Sequence, residues 1–135
     1  MAANPFDWSG YFQLAEELAK RQDEASIRSA LSRAYYYVYH LALQRARDNG
    51  FSTLPGEGTH RQLWRNYSGS PEPDCQTLAE IAARLKEKRE RADYQQQMYN
   101  RIADEIPGML ADARDFTDRL QRLNPRHPKP ASVRH

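Results

Sequence analysis

Arg33 and His40 stand at the two ends of the stretch RAYYYVYH and are the residues whose types and spacing best fit a reaction centre. In an α-helix this spacing is about two turns, so both side chains leave the helix on nearly the same side. A guanidinium can hold a phosphate through two parallel hydrogen bonds, and an imidazole can exchange protons near neutral pH. Because RNA carries a 2′-hydroxyl beside each phosphate, the pair indicates metal-independent phosphodiester cleavage, with Arg33 binding the phosphate and His40 moving the proton.

The same two residues also have a structural interpretation. Arg33 and His40 can make hydrogen bonds that join packed helices or subunits, with the tyrosines between them filling space. Spacing by itself favours this second interpretation, because nothing in the spacing requires a ligand. The residues alone therefore leave both interpretations open.

The helix that carries this pair has two occupied faces. With Ile27 as the reference direction and about 100° per residue, an apolar stripe lies within about 40° of it. The stripe consists of Ile27, Leu31, Ala34, Val38 and Leu41. The opposite side carries Ser29, Arg33, Tyr36, Tyr37, His40, Gln44 and Arg47. Tyrosine and arginine are enriched where a surface meets a partner. We predict that Tyr36, Tyr37 and Arg47 shape an RNA groove, by stacking on bases and contacting phosphate.

The remaining reactive side chains predict neither a metal nor a cofactor. The four histidines, at positions 40, 60, 127 and 135, lack metal-ligand spacing, and a single cysteine cannot complete a zinc site. His60 lies one turn before Trp64 and is expected to be a structural contact. Cys75 is expected to fill space, and because it is the only cysteine it predicts a reducing compartment.

The composition predicts one helical domain. The chain has 135 residues, of which 28% are charged, and a formal net charge of +2. So small a net charge gives no overall basic field of the kind that indicates a nucleic-acid binder. No apolar run approaches the ~18 residues that a membrane span needs, and the N-terminus lacks a signal-peptide pattern. We therefore predict a cytoplasmic protein without membrane contact.

Helical patterning dominates the chain, and strand signals are nearly absent. We predict helices over residues 8–21, 24–49, 59–67, 74–89 and 99–123, with an irregular link around residues 93–97. Asp7 and Asp23 are expected to cap the first two helices, Gly50 to end the second, and Pro107 to kink or restart the last. The predicted fold is all-α, an up-and-down bundle of four to five helices. Residues 1–123 form the domain, and residues 124–135 form a basic, proline-rich and disordered tail.

Several stretches together resemble a known family. SALSRAYYYVYHLALQRARDNGF at residues 29–51 resembles the signature of HEPN domains, small helical domains of prokaryotic toxin–antitoxin and defence systems. THRQLW at residues 59–64 is similar to the His-containing segment that follows the long helix in that family. KRERADY at residues 88–94 is similar to its ADY-type ending, with Arg89, Ala92, Asp93 and Tyr94 in the matching places. ADARDFTDRL is similar to the closing helix, so the resemblance covers residues 8–123 in order.

The resemblance implies a dimeric all-α bundle, often found beside a small nucleotidyltransferase antitoxin partner. Active members are metal-independent endoribonucleases that use an Arg-x4–6-His motif from each subunit at the dimer seam, and Arg33 with His40 matches the upper limit of that spacing. This chain has Ala34 where ribonuclease members commonly have a polar residue, and Ala42 where the partnered toxins have a tyrosine. Two hypotheses follow. One is a homodimeric HEPN ribonuclease or toxin of phage defence. The other is a non-catalytic HEPN module that binds a nucleotidyltransferase or a nucleic acid.

Overall fold

The chain folds into an all-helical bundle. The computed structural model describes residues 6–96 and 102–130, and these residues contain no strand. The helices are α1 (Ser9–Ala19), α2 (Glu24–Asp48), α3 (Thr59–Ser68), α4 (Pro73–Tyr94) and α5 (Ile106–Arg122), with a 3₁₀ turn at Ile102–Glu105. Within the described ranges no helix combines the length and the apolar character that crossing a membrane requires. The prediction of an all-α bundle is confirmed, whereas dimerisation and HEPN membership stay predictions.

The second helix, α2, is the centre of the bundle and contacts all four other helices. The predicted apolar stripe is buried at Ile27, Leu31, Ala34 and Val38, and Leu41 packs against the core from a partly exposed position. Further buried residues lie outside this stripe, because neighbours cover α2 on several sides. They include Ala30, Tyr35, Tyr37, Tyr39, Ala42, Leu43 and Ala46. The helix therefore has no single solvent face.

Both ends of α2 are fixed by local chemistry, as predicted. The Asp23 carboxylate accepts a hydrogen bond from the Ser26 backbone N–H at 2.9 Å, which satisfies one of the free donors of the first turn. At the other end Gly50 has φ of +99°, the left-handed conformation that glycine adopts without a Cβ penalty. The chain can then turn away from α2 toward α3.

The loop before α3 is held by one side chain. The Gln62 side chain accepts a hydrogen bond from the Leu54 N–H at 2.7 Å and donates to the carbonyls of Leu54 and Glu57 at 2.9 and 3.0 Å. Gln62 is 8% exposed, so these bonds satisfy a buried amide. This contact fixes the start of α3, which carries His60.

The fourth helix is longer than predicted. We expected α4 to end at residue 89 and an irregular link around residues 93–97, but α4 continues to Tyr94. Ala92 packs into the core, and the Arg28 guanidinium donates to the Ala92 carbonyl at 2.9 Å and to the Gln95 carbonyl. Such donors satisfy the free carbonyls at a helix end. Arg28 is distant in sequence from these carbonyls, so the local pattern did not predict that α4 continues to Tyr94.

The last helix restarts at Pro107, as predicted. The helix α5 begins at Ile106, so Pro107 lies in the first turn, where its missing N–H has no partner to lose. The 3₁₀ turn precedes it directly. The predicted stretch at residues 99–101 lies outside the described residues.

The C-terminal segment differs from the expected disordered tail over residues 124–130. The Pro128 ring is fully buried. The Arg45 guanidinium donates hydrogen bonds, at 2.9 to 3.4 Å, to the carbonyls of Leu120, Asn124 and His127. Composition predicts disorder for a segment with few apolar residues, but a buried proline and hydrogen bonds from the Arg45 and Asn49 side chains hold this segment on the body. Residues 131–135 lie outside the described ranges.

Candidate functional site

Arg33 and His40 both lie against aromatic rings at the N-terminal end of the described chain. The guanidinium carbon of Arg33 is 5.0 Å from the centre of the Tyr11 ring. The His40 ring stacks on Trp8 with 3.5 Å between ring centres and 3° between planes, and the Tyr11 ring is 6.2 Å away. Both predicted residues are partly exposed, and both are neighbours of one tyrosine. The structure thus places them on the same side of α2.

His40 lines an open groove between α2 and the residues that begin α1. The groove, which we call the His40 groove, has a volume of about 510 Å³. Its wall combines aromatic rings with polar and charged groups, namely Phe6, Trp8, Tyr39, His40, Leu43, Gln44, Arg47 and Asp48. Arg33 is not among the lining residues. The cation inside the groove is Arg47.

The protonation of His40 is set by its surroundings. Burial lowers the pKa of His40 below its ordinary value, and the positive charge of Arg47 lowers it further. The imidazole is therefore mostly neutral at neutral pH and can accept a proton. A neutral imidazole in the wall of an open groove has the properties of a general base.

Two of the residues predicted to bind RNA lie near His40. Arg47 is exposed and lines the groove. Tyr36 is partly exposed, and its ring centre is 6.4 Å from that of His40. Both side chains are accessible beside the groove, where a strand could contact them.

Tyr37, the third residue of that prediction, is a core residue. It is 8% exposed, its ring lies 5.2 Å from Phe12 of α1, and its hydroxyl is 3.4 Å from that of Thr117 of α5. The helical wheel put Tyr37 on the outer side of α2. Because α1 and α5 both pack over that position, the placement of Tyr37 on an RNA surface is corrected here.

A polar cluster on the other side of Tyr39 was missed by sequence reasoning. The Tyr35 hydroxyl oxygen lies 2.6 Å from Nδ1 of His60, and the Trp64 indole N–H donates to the same oxygen at 3.0 Å. The Tyr39 ring stacks on His60 at 3.9 Å and lies 5.1 Å from His40. Each helix supplies two of these residues at i, i+4 spacing, Tyr35 with Tyr39 and His60 with Trp64. That shared spacing was the signal in the sequence.

The cluster keeps His60 neutral. The pKa of His60 is lowered to about 4, and burial is the largest cause. The positive charges of Arg89 and Lys86 lower the pKa further, as does His40 when it is protonated, and Glu90 raises it. Burial also raises the pKa of Tyr35, so its hydroxyl keeps its proton. His60 is thus a structural contact, as expected, through the hydrogen bond at its Nδ1 and the stack on Tyr39.

Arg89 places a positive charge against the same tyrosines. It is 7% exposed, and its guanidinium carbon lies 5.2 Å from the Tyr35 ring centre and 5.4 Å from that of Tyr36. Its Nη1 is 3.6 Å from the Asp93 carboxylate, and among the residues that the structure describes its Nε has no hydrogen-bond partner. Ring faces and one carboxylate thus balance a buried cation. The KRERADY stretch therefore folds onto the tyrosines of RAYYYVYH.

Two further predictions concern metal ligands and the cysteine. Among residues 6–96 and 102–130, no three His, Cys, Asp or Glu side chains are grouped so that they could hold a metal ion. Cys75 is buried, as expected for a residue that fills space, and burial raises the pKa of its thiol.

Comparisons of the chain with family models, with curated proteins and with solved structures find no match. The likeness to HEPN domains therefore rests on the stretches quoted above. The functional argument below rests on the geometry around His40.

Proposed function

We propose that the protein is a metal-independent endoribonuclease of the HEPN type that acts as a cytoplasmic homodimer, in the manner of a toxin or defence component. In this proposal Arg33 holds the scissile phosphate, His40 transfers the proton, and Tyr36 and Arg47 contact the RNA strand. One observation carries it: the His40 imidazole, whose pKa is lowered by burial, lies in the wall of an open groove that also contains Arg47 and aromatic rings, with Arg33 outside the lining over the Tyr11 ring. These are the groups that bind single-stranded RNA.

The aromatic wall of the groove supports the proposal that the groove binds single-stranded RNA. Phe6 is 60% exposed, and its ring centre is 4.6 Å from that of Trp8. Ring surface is therefore available for an unpaired base, while the Arg47 guanidinium can contact a phosphate of the same strand. Stacking and charge together would hold a strand in the groove without reading its sequence.

The proposed reaction needs no cofactor. His40 accepts the proton of the RNA 2′-hydroxyl, and the 2′-oxygen forms a bond to the adjacent phosphorus. The bond from phosphorus to the 5′-oxygen breaks, which leaves a 2′,3′-cyclic phosphate, and the leaving oxygen takes a proton from water. Arg33 stabilises the negative charge that builds on the phosphate. In the dimer that the resemblance implies, each copy would bring one such pair to the seam.

The test is cleavage of single-stranded RNA by purified protein in the presence of a metal chelator. Arg33→Ala and His40→Ala should each slow cleavage at least about 100-fold, since each removes a group that acts in the transition state. Arg126→Ala and His127→Ala are matched controls outside the groove and should cleave at the wild-type rate. Products with 2′,3′-cyclic phosphate and 5′-hydroxyl ends are expected. Wild-type protein that leaves RNA intact would defeat the proposal.

A non-catalytic HEPN module is the second candidate, and the contacts with the N-terminal rings favour it. Trp8 covers one face of His40 at 3.5 Å, and Tyr11 lies under the Arg33 guanidinium, so both side chains also join α2 to the chain before it. In this role the module would bind a nucleotidyltransferase partner or a nucleic acid without cutting. The Arg33→Ala and His40→Ala variants would then lower the free energy of unfolding by about 1–2 kcal/mol, or dissociate the dimer.

A further inference from the structure

The neighbours of His60 determine which ring nitrogen carries its proton. The Trp64 indole N–H donates to the Tyr35 hydroxyl oxygen at 3.0 Å, which directs the hydroxyl proton to its remaining partner, Nδ1 of His60, at 2.6 Å. Tyr35 is fully buried, so no solvent offers its hydroxyl another acceptor. Nδ1 is therefore the acceptor, and the proton of the neutral ring is on Nε2.

The Nε2–H group of His60 makes no hydrogen bond to the described residues. His60 is partly exposed. The buried polar atoms without a partner in the described ranges do not include its Nε2. Its ring is fixed by the bond to Tyr35 and by the stack on Tyr39. The result is a hydrogen-bond donor that is held in place before any ligand arrives.

The charges around this donor favour an anion. Arg89 and Lys86 of α4 act on His60 with positive charge. Carboxylates offset part of it, because Glu90 acts on His60 and lies 3.5 Å from Lys86, and Asp93 lies 3.6 Å from Arg89. The Tyr39 ring, which lines the His40 groove, has His60 on its face and His40 at 5.1 Å. The two histidines are thus neighbours of one ring, with His40 in the wall of the groove and His60 outside its lining.

We propose that His60 binds a phosphate of the RNA strand next to the one held at Arg33 and His40, by donating its Nε2 proton to a non-bridging phosphate oxygen. This inference rests on the proposed function, because it concerns the same RNA strand. It gives His60 a binding role and leaves proton transfer to His40. Burial lowers the pKa of His60 to about 4, so the ring is a neutral donor at neutral pH.

Binding of a single-stranded 2′-O-methyl RNA oligonucleotide tests the inference, because this probe has no 2′-hydroxyl proton and cannot be cleaved. His60→Asn keeps an amide oxygen near the position of Nδ1 for Tyr35 but has no donor near the position of Nε2. His127→Asn is the matched control, because the His127 ring faces Glu72 at 3.8 Å instead of the tyrosines. Fluorescence anisotropy at low salt and neutral pH should show a Kd about tenfold higher for His60→Asn, the loss of one hydrogen bond to a charged oxygen. The control should keep the wild-type Kd.

Equal Kd values for wild type and His60→Asn would overturn the inference and leave the proposed function standing, since cleavage at His40 does not need His60. Failure of the wild-type protein to bind the probe would also overturn the inference. A separate measurement of RNA cleavage by the wild-type protein then decides whether the proposed function is also wrong.

Nuclear magnetic resonance of the histidine rings tests the inference on the wild-type protein alone. The His60 ring should carry its proton on Nε2, and the Nε2 resonance should shift when the 2′-O-methyl oligonucleotide is added. A proton on Nδ1, or a resonance that stays fixed while the probe binds, contradicts the inference.

Discussion

Lowering the pH from neutral to about 4 should destabilise the protein through His60. In the folded state the Tyr35 hydroxyl donates to Nδ1 of His60, and the pKa of the ring is lowered to about 4 from an ordinary value of 6.5. Between these values the unfolded chain binds a proton at His60 and the folded chain does not. The contribution of this residue is therefore fully present above pH 6.5, and it is lost as the pH falls toward 4.

The size of the effect follows from the gap between the two pKa values. A gap of this size corresponds to about 3 kcal/mol. Solvent around the partly exposed His60 ring screens part of it, so the expected loss of unfolding free energy is about 1–2 kcal/mol. A second contribution comes from Tyr35, whose buried hydroxyl loses its acceptor when Nδ1 is protonated.

Urea unfolding at several pH values from neutral to 4 measures this loss, with wild type and His60→Asn compared at each pH. Asparagine does not titrate, so the difference between the two proteins isolates His60 from the carboxylates that also titrate in this range. The stability advantage of wild type should shrink by about 1–2 kcal/mol as the pH falls. Parallel curves across the whole range, or a measured folded-state pKa for His60 near 6.5, would refute the reasoning.

Three further predictions concern other parts of the molecule. If the protein cleaves RNA, the rate should hold down to about pH 6.5 and decline at lower pH, because His40 must be neutral to accept a proton and its pKa is lowered; a pH–rate profile measures this. Asp23→Ala should lower the free energy of unfolding by about 1 kcal/mol, since the Ser26 N–H loses its cap. Tyr67→Phe should lower it by about 1–2 kcal/mol, since the buried hydroxyl donates to the Ala42 carbonyl at 2.8 Å.

Matched controls separate these effects from general ones. Asp118→Ala removes an exposed acid of α5, and Tyr94→Phe removes the hydroxyl of a side chain that is 76% exposed. Each should change stability by less than about 0.5 kcal/mol. Losses equal to those of Asp23→Ala and Tyr67→Phe would contradict the structural explanation. A pH–rate profile with no decline on its acid side would contradict the role of His40 as the base.

Local chemistry in the sequence predicted several helix ends that have local causes. The expected Asp7 cap of α1 is wrong, because Trp8 is the N-cap residue and the Asp7 carboxylate, one position earlier, accepts from the Ser9 N–H at 3.0 Å. Three features depend on residues within a few positions, so the local sequence is enough to predict them: the Asp23 cap, the left-handed Gly50 and the restart at Pro107. The C-terminal end of α4 and the packing of residues 124–130 depend on Arg28 and Arg45. Both arginines act on carbonyls far along the chain, and no window of sequence contains such a contact.

The sequence alone determined which side chains lie on the long helix and that Arg33 and His40 are about two turns apart. It therefore identified Arg33, His40 and Arg47 as candidates. Which of the tyrosines face solvent was decided by the tertiary structure, because burial depends on the helices that pack over a position. Tyr37 is covered by α1 and α5, while Tyr36 stays partly exposed beside His40. The pairing of Tyr35 with His60 was also decided there, because it joins α2 to α3, and a proton's position depends on hydrogen-bond partners that only folding brings together.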